Sequence, residues 1–167
     1  MDITDTIYTE NSIRTYTGKV FDLKILDPDS ICIEDIAHAL SHTARFAGHL
    51  PEMYSVAQHS VLVGSKCERE HKLAALLHDA SEAYLGDMPS PFKKMMPEYK
   101  KIEDNLMQVI AKKFGFQYPL HPQVKHFDKE YLSLEWDSFV NGTDAIVIWD
   151  TEQAEQMFLD AFKFLTE

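Results

Sequence analysis

Two histidines and two aspartates in this sequence carry side chains that transition metals prefer as ligands. His59 comes first, the adjacent pair His78 and Asp79 follows, and Asp128 comes last. Two imidazoles and two carboxylates suit Zn²⁺, Co²⁺, Mn²⁺ or Fe²⁺. A metal that keeps an open coordination position can turn a bound water into a nucleophile near neutral pH. The pattern predicts a catalytic metal site if the fold brings the four side chains together.

Each of these residues also has an ordinary structural explanation when it is taken alone. A single histidine such as His59, on a partly apolar helix, is more often a hydrogen-bonded core residue than a ligand. An adjacent histidine and aspartate arise often by chance. The set as a whole favours a site, because each of these residues is costly to bury without a partner.

The stretch from residue 73 to residue 93 supplies the adjacent pair and a further carboxylate. An apolar run precedes the pair, and we expect one helix from about 70 to 85. Glu82 follows Asp79 by three residues, so a helix would place it at a neighbouring position. Taken alone, Glu82 is more often a solvated or ion-paired residue.

The end of this stretch is rich in proline. Gly86 is expected to end the helix in a left-handed cap. Residues 87–93 (DMPSPFK) should then form a stiff segment, because each proline fixes its own backbone angle φ and restricts its predecessor. Asp87 and Lys93 would thereby be held at a set separation, although a cap or turn is the ordinary role of an aspartate in such a segment.

Helical periodicity and turn signals predict the elements that must position these residues. An alternating pattern suggests a short two-stranded element at 13–26, and the polar residues 1–12 are expected to fray. The fold class is therefore all-α, a helical bundle with a small N-terminal β-hairpin. It fits a single domain, 1–167, with its core at about 31–140. We expect helices at about 33–46, 55–67, 70–85, 97–114, 123–140 and 151–166.

Charge and composition limit the partners of this protein. The chain has 27 acidic and 16 basic residues and a formal net charge of −11. This argues against a nucleic-acid backbone or an anionic membrane surface as the main partner. No apolar run approaches the length of a membrane span, and residues 1–10 lack the features of a signal peptide. Cys32 and Cys67 lack CxxC spacing and are interpreted as reduced thiols, so we expect a cytoplasmic protein.

The order of the candidate ligands is that of a known family. His59, then His78 and Asp79, then Asp128 reproduce an H…HD…D pattern, and the chain resembles the HD-domain metal-dependent phosphohydrolases, an all-α superfamily. The resemblance covers about 14–136. Further likeness, to the small branch that contains the bacterial 5′-deoxynucleotidases, lies in Arg45-Phe46, Gln58-His59-Ser60, Glu82 and the segment 87–93.

Within this branch, the chain resembles the phage dATP triphosphohydrolases and their prophage relatives, which remove dATP where the genome carries 2-aminoadenine. The run at 45–63 (RFAGHLPEMYSVAQHSVLV) and Lys125, three residues before Asp128, carry this likeness. The resemblance implies that water bound to a divalent transition metal (Zn²⁺, Co²⁺ or Mn²⁺) attacks the α-phosphate of dATP and releases deoxyadenosine and triphosphate. A second ion, Mg²⁺, could accompany the triphosphate.

The resemblance also implies a role for each site residue. Glu82 would orient or deprotonate the attacking water, and Asp87 would handle the proton of the leaving oxygen. Phe46 would pack against the deoxyribose, although core packing explains an aromatic residue there equally well. The metal ligands would be His59, His78, Asp79 and Asp128; the phosphate-binding residues Arg45, Lys93 and Lys125; the border of the base pocket Pro89 and Pro91; and a further substrate contact His49.

Three alternatives remain open from the sequence. The same ligands and the same attack would serve a 5′-deoxynucleotidase that acts on dNMPs. A non-catalytic nucleotide or metal sensor would keep the fold for binding only, but it would not need both Glu82 and Asp87. A purely structural helical protein would bind no metal. The resemblance further implies a homo-oligomer, from a dimer to a hexamer, whose small-molecule partner is a deoxynucleotide.

Overall fold

A small antiparallel sheet opens the part of the chain, residues 8–167, that the computed structural model describes. The predicted hairpin is confirmed, and one more strand extends it. Ile13 pairs with Phe21 across the hairpin, and Phe21 enters the main core. The predicted fraying of 1–12 is wrong for residues 8, 9 and 12, while residues 1–7 lie outside the described part. In order across the sheet, the strands are β1 (Tyr8–Thr9), β2 (Ser12–Arg14) and β3 (Val20–Asp22).

Helices make up most of the described chain, as predicted. The side chain of Ser55 accepts a hydrogen bond from the backbone of Gln58 and so caps one helix, and Asp150 caps the last helix in the same way. Gly115 ends another helix in the left-handed conformation. Within residues 8–167 there are eight α-helices: α1 (Ile33–Ser41), α2 (Val56–Lys66), α3 (Lys72–Leu76), α4 (Glu82–Leu85), α5 (Ser90–Met95), α6 (Pro97–Phe114), α7 (Pro122–Phe139) and α8 (Thr151–Thr166).

The prediction of one continuous helix at 70–85 is wrong. The helix is interrupted between α3 and α4. The backbone N–H groups of Ala80 and Glu82 each donate to the carbonyl three residues earlier, at 3.1 and 2.9 Å, so this segment forms tight turns. The His78 side chain also competes for a helical acceptor, since its Nδ1 lies 2.6 Å from the carbonyl oxygen of Ala75. The break places His78 and Asp79 between two short helices.

Two further boundaries differ from the predictions. The first helix ends at Ser41, not at 46, because a turn with left-handed residues follows it: Phe46 has φ 54° and Ala47 has φ 51°. The stiff segment predicted at 87–93 becomes helical at Ser90, with proline accommodated in the first turn of α5. Gly86 has the positive φ expected of it, 79°, but its ψ of 159° is extended rather than left-handed helical.

The last helix is held to the rest of the fold by apolar packing and by one buried amide. Phe158 and Ala154 are fully buried, and α8 packs against α1, α2 and α3. Just before α8, the Gln58 side chain donates to the carbonyl of Val147 at 2.7 Å and accepts from the backbone N–H of Trp149 at 2.9 Å. These contacts fix the C-terminal segment against α2, the helix that carries His59.

The predictions about membrane spans and cysteines can be compared with the described chain. Across residues 8–167, every helix falls short of the length or the hydropathy needed to cross a bilayer. Cys32 and Cys67 are free thiols. The single-domain boundaries and the homo-oligomer stay predictions.

Replacing Phe158 by alanine should destabilise the protein by roughly 3–5 kcal/mol, because it leaves a cavity where α8 meets the core. Thermal or denaturant unfolding followed by circular dichroism measures the change. Phe164→Ala is the matched control on the same helix, since Phe164 is 70% exposed and its loss should change the free energy of unfolding by at most about 0.5 kcal/mol. Equal effects of the two substitutions would contradict the packing of α8.

Candidate metal centre

The four predicted ligands converge where α2, the turn after α3, and α7 meet. Nε2 of His59 lies 3.1 Å from Oδ1 of Asp128, and Nε2 of His78 lies 3.1 Å from Oδ2 of Asp79. These two histidine–aspartate pairs also contact each other. Nε2 of His78 lies 3.8 Å from Oδ1 of Asp128, and Nε2 of His59 lies 3.9 Å from Oδ2 of Asp79. His59, His78 and Asp128 each offer one ligand atom within 4.8 Å of the others.

The orientation of the two imidazoles fits a metal. Nδ1 of His59 lies 2.5 Å from a carboxylate oxygen of Glu135, and Nδ1 of His78 lies 2.6 Å from the carbonyl oxygen of Ala75. Since both partners are acceptors, each Nδ1 carries a proton, and both Nε2 atoms face the aspartates. Nε2 of His78 is buried and has no hydrogen-bond partner among the described residues. A ring nitrogen in this state is what a metal ligand requires.

Glu135 is the buried anchor of this arrangement. Its carboxylate is fully buried and accepts from Nη2 and Nε of Arg45, at 2.8 and 3.1 Å, and from the hydroxyl of Tyr54 at 2.8 Å, in addition to His59. Burial by itself would raise the pKa of Glu135. The hydrogen bond from His59 and the charge of Arg45 outweigh burial and lower this pKa, so the carboxylate stays ionised.

The electrostatics of the cluster favour a cation. Burial would raise the pKa of Asp79, but the neighbouring His78 outweighs it and lowers the pKa to about 2. Burial would likewise raise the pKa of Asp128, but hydrogen bonding with His59 and the proximity of His78 lower it below its ordinary range. Burial disfavours the charged form of His78, yet the two aspartates raise its pKa well above the ordinary value. The centre thus suits positive charge, carried by protons or by a metal.

A cavity of about 510 Å³ opens beside these ligands. The left-handed turn at Phe46 and Ala47 forms one wall, and backbone hydrogen bonds hold that turn: Arg45 donates to the carbonyl of Tyr54 at 2.9 Å. Apolar side chains of α7 form another wall. The predicted site residues that line the cavity are Arg45, Phe46, Asp79, Glu82, Asp87, Pro89, Pro91, Lys93 and Asp128.

Glu82 and Lys93 form a partly buried pair on the cavity wall. Nζ of Lys93 lies 3.2 Å from Oε1 of Glu82 and 2.7 Å from Oε1 of Glu103, whereas Oε2 of Glu82 is buried without a hydrogen-bond partner among the described residues. Burial, together with the charges of Asp79 and Asp87, raises the pKa of Glu82 to about 9 against the opposing charge of Lys93. A carboxyl with a raised pKa can exchange a proton near neutral pH.

Two predicted substrate contacts lie apart from the cavity. Lys125 is exposed on α7, and His49 is exposed after the left-handed turn; neither contributes to the cavity lining. Their roles, like the roles of the residues that do converge, stay predictions.

Several residues of the site were not predicted from the sequence. Glu135 follows Asp128 by seven residues, which is two helical turns along the same face of α7, so this spacing was the available signal. Leu132 and Trp136, at four and eight residues after Asp128, line the cavity for the same reason. Tyr54 and Glu103 had no comparable signal, because their contacts are made across the fold.

Comparison with known proteins gives distant relatives of two kinds. No family model matches the chain. It is 43% identical over 123 residues to the uncharacterized protein YfdR of Escherichia coli, covering 74% of this chain and 69% of YfdR. It is 38% identical over 122 residues to an uncharacterized protein of Rhodobacter capsulatus, covering 67% of this chain and 62% of that protein.

Relatives of known activity are more distant. A 5′-deoxynucleotidase of Erwinia tasmaniensis is 33% identical over 113 residues, which cover 60% of this chain and 48% of the enzyme. A 5′-deoxynucleotidase of Yersinia pestis is 34% identical over 82 residues, which cover 44% of this chain and 39% of the enzyme. The chain therefore spans about half or less of these enzymes' length. The resemblance to the 5′-deoxynucleotidase branch is confirmed, and the resemblance to phage dATP triphosphohydrolases stays a prediction. The chain belongs to the same family as YfdR and is a distant homologue of the 5′-deoxynucleotidases.

Proposed function

We propose that this protein is a metal-dependent deoxynucleotide phosphohydrolase and that it acts as a 5′-deoxynucleotidase. The observation that carries the proposal is the pair of Nε2 atoms of His59 and His78, each beside an aspartate at the wall of the cavity. The distant homology to 5′-deoxynucleotidases supports the same reaction class. A purely structural role gives no reason for the Nε2 atoms of two buried histidines to face two aspartates beside a cavity.

His59, His78, Asp79 and Asp128 are the residues that would hold the metal. A divalent transition metal bound there supplies a Lewis acid that polarises a phosphate oxygen and lowers the pKa of water. Arg45 lies next to this position. Its Nε and Nη2 bind Glu135, while Nη1 lies 4.0 Å from Oδ2 of Asp79. Nη1 is therefore the donor available to a phosphate oxygen.

Two carboxyl groups on the cavity wall are placed to move protons. Glu82, near Asp79, would accept a proton from the water whose oxygen attacks phosphorus. This needs the ionised form of Glu82, which a cation bound beside Asp79 would favour by offsetting the neighbouring carboxylates that raise its pKa. As the bond between phosphorus and O5′ breaks, Asp87 donates a proton to O5′, and the products are a nucleoside and phosphate. Burial raises the pKa of Asp87, which favours the protonated form that can act as the acid.

The charges of the cavity favour a monophosphate over a triphosphate. Four acidic residues line it, against the two cations Arg45 and Lys93. Lys93 is already paired with Glu82 and Glu103, and Lys125 lies outside. A triphosphate would need a further cation such as Mg²⁺ to offset its charge. The dATP triphosphohydrolase predicted from the resemblance is thus the second candidate, supported by the resemblance alone.

Purified protein with Co²⁺, Mn²⁺, Zn²⁺ or Mg²⁺ should release a nucleoside and phosphate from dNMPs. Asp128→Ala should lower kcat/KM roughly 100-fold or more, because it removes a ligand atom. Asp137→Ala, an exposed aspartate on the same helix, is the matched control and should retain activity. Deoxyadenosine and triphosphate from dATP alone would instead support the second candidate. The absence of turnover with every metal would leave a non-catalytic sensor as the better explanation.

Glu135→Gln should weaken Zn²⁺ binding about 10–100-fold, because Glu135 fixes the protonation and orientation of His59. Isothermal titration calorimetry of the metal-free protein measures the affinity. Glu130→Gln, at a half-exposed glutamate of the same helix, should leave it unchanged. Unaltered affinity in Glu135→Gln would exclude a positioning role for this carboxylate.

The metal-free protein should lose stability as the pH rises from about 5 to 9, in part because Glu82 keeps a proton in the folded state that the unfolded chain releases near its ordinary value of 4.5. Since the folded state binds more protons over this range, the free energy of unfolding falls with increasing pH. Glu82→Gln should flatten this fall, as measured by thermal unfolding at several pH values. Glu98→Gln, an exposed glutamate, should follow the parent protein, and a parallel curve for Glu82→Gln would contradict the raised pKa.

A further inference from the structure

A second cluster of metal-ligand side chains lies between α1 and α8. It consists of His38 on α1, His42 directly after α1 and Glu155 on α8, and none of these residues lines the cavity or belongs to the candidate metal centre. We propose that these three side chains form a second, structural site for a divalent transition metal that links the first helix to the last.

The three side chains have the spacing of a ligand set. Nδ1 of His38 lies 3.0 Å from Oε2 of Glu155, and one ligand atom from each of the three residues lies within 4.8 Å of the other two. His38 lies in the last turn of α1 and His42 is the residue that follows α1, four positions later; their ring centroids are 4.3 Å apart. A modest closure would bring three ligand atoms around one ion.

Neighbouring groups fix the orientation of both rings. Nδ1 of His42 donates to the carbonyl oxygen of His38 at 2.8 Å, which leaves its Nε2 with a lone pair. The ring of Tyr16 stacks on His38 with centroids 3.7 Å apart and an interplanar angle of 10°. His38 is therefore held between Tyr16 and His42. Pre-oriented ligands lose less conformational entropy when a metal binds.

The donor set determines which metals suit the site. Two imidazoles and one carboxylate favour Zn²⁺, Ni²⁺ or Cu²⁺ over Ca²⁺ or Mg²⁺, with water completing the coordination. The side chains of His38 and Glu155 are 30% and 24% exposed, so an ion can reach them from solvent. A bound metal would stabilise the folded state by linking α1 to α8.

The number of Zn²⁺ ions bound to the metal-free full chain tests the proposal, by isothermal titration calorimetry near pH 7.5. His42→Ala should bind one equivalent fewer than the parent protein. His126→Ala is the matched control, because His126 also faces a carboxylate one turn along its helix, Glu130 at 3.7 Å, but is 70% exposed; it should bind as the parent does. The comparison counts a difference, so it stands whether or not the candidate metal centre binds Zn²⁺.

Glu155→Gln is a second test in case His42→Ala does not fold. It keeps the shape of the side chain and removes only its charge. It should weaken the second binding event roughly 10-fold or more. The rise in thermal unfolding temperature that Zn²⁺ produces should shrink in both His42→Ala and Glu155→Gln. Equal stoichiometry in the parent protein and His42→Ala, with both folded by circular dichroism, would overturn the proposal.

Discussion

The buried carboxylate of Glu135 is the interaction on which the rest of the site depends. A fully buried charge is costly unless every lone pair is used, and Glu135 meets this requirement with donors from His59, Arg45 and Tyr54. These donors come from three separate segments of the chain, and Glu135 comes from α7. One carboxylate therefore fixes the ring of a candidate metal ligand, directs a guanidinium toward the cavity and holds α7 against α2. Loss of any one donor would leave part of a buried charge unpaired.

Two strained backbone positions lie beside the same cavity. Phe46 and Ala47 are consecutive left-handed residues without the freedom of glycine, a conformation that costs of order 1–3 kcal/mol for each residue. Hydrogen bonds from Arg45 to Tyr54 and from Val56 to Thr43 fasten the chain on both sides of this turn. These hydrogen bonds hold the turn in its strained conformation. It places the guanidinium of Arg45 and the ring of Phe46 on one wall of the cavity, where a regular continuation of α1 would not.

The sequence predicted the fold class, the small hairpin and the long helices, because those elements follow from local periodicity and capping. α6 and α7 begin and end within one residue of the predicted positions. The break at His78 was not predictable, because an apolar run followed by His78 and Asp79 is compatible with a helix, and the acceptor that captures the histidine is its own backbone. Glu135 was missed for another reason: its partners are distant in sequence, and its residue type alone predicts an exposed position.

The distribution of positive charge supports the proposal that a phosphate binds in this cavity only together with a cation. Arg45 is ion-paired with Glu135, and Lys93 is ion-paired with Glu82 and Glu103. The positive charge of both residues is therefore largely offset by carboxylates that are already present. Asp128 and Asp79 instead contact Nε2 of His59 and Nε2 of His78, each at 3.1 Å. A phosphate that approached this surface without a bound cation would meet carboxylates, and like charges at short range in a poorly solvated cavity repel strongly. A cation bound by the histidines and aspartates would replace this repulsion of a phosphate with attraction. If the proposed metal binds there, the affinity for a phosphate would depend on the bound cation, and Arg45 would add a directional hydrogen bond.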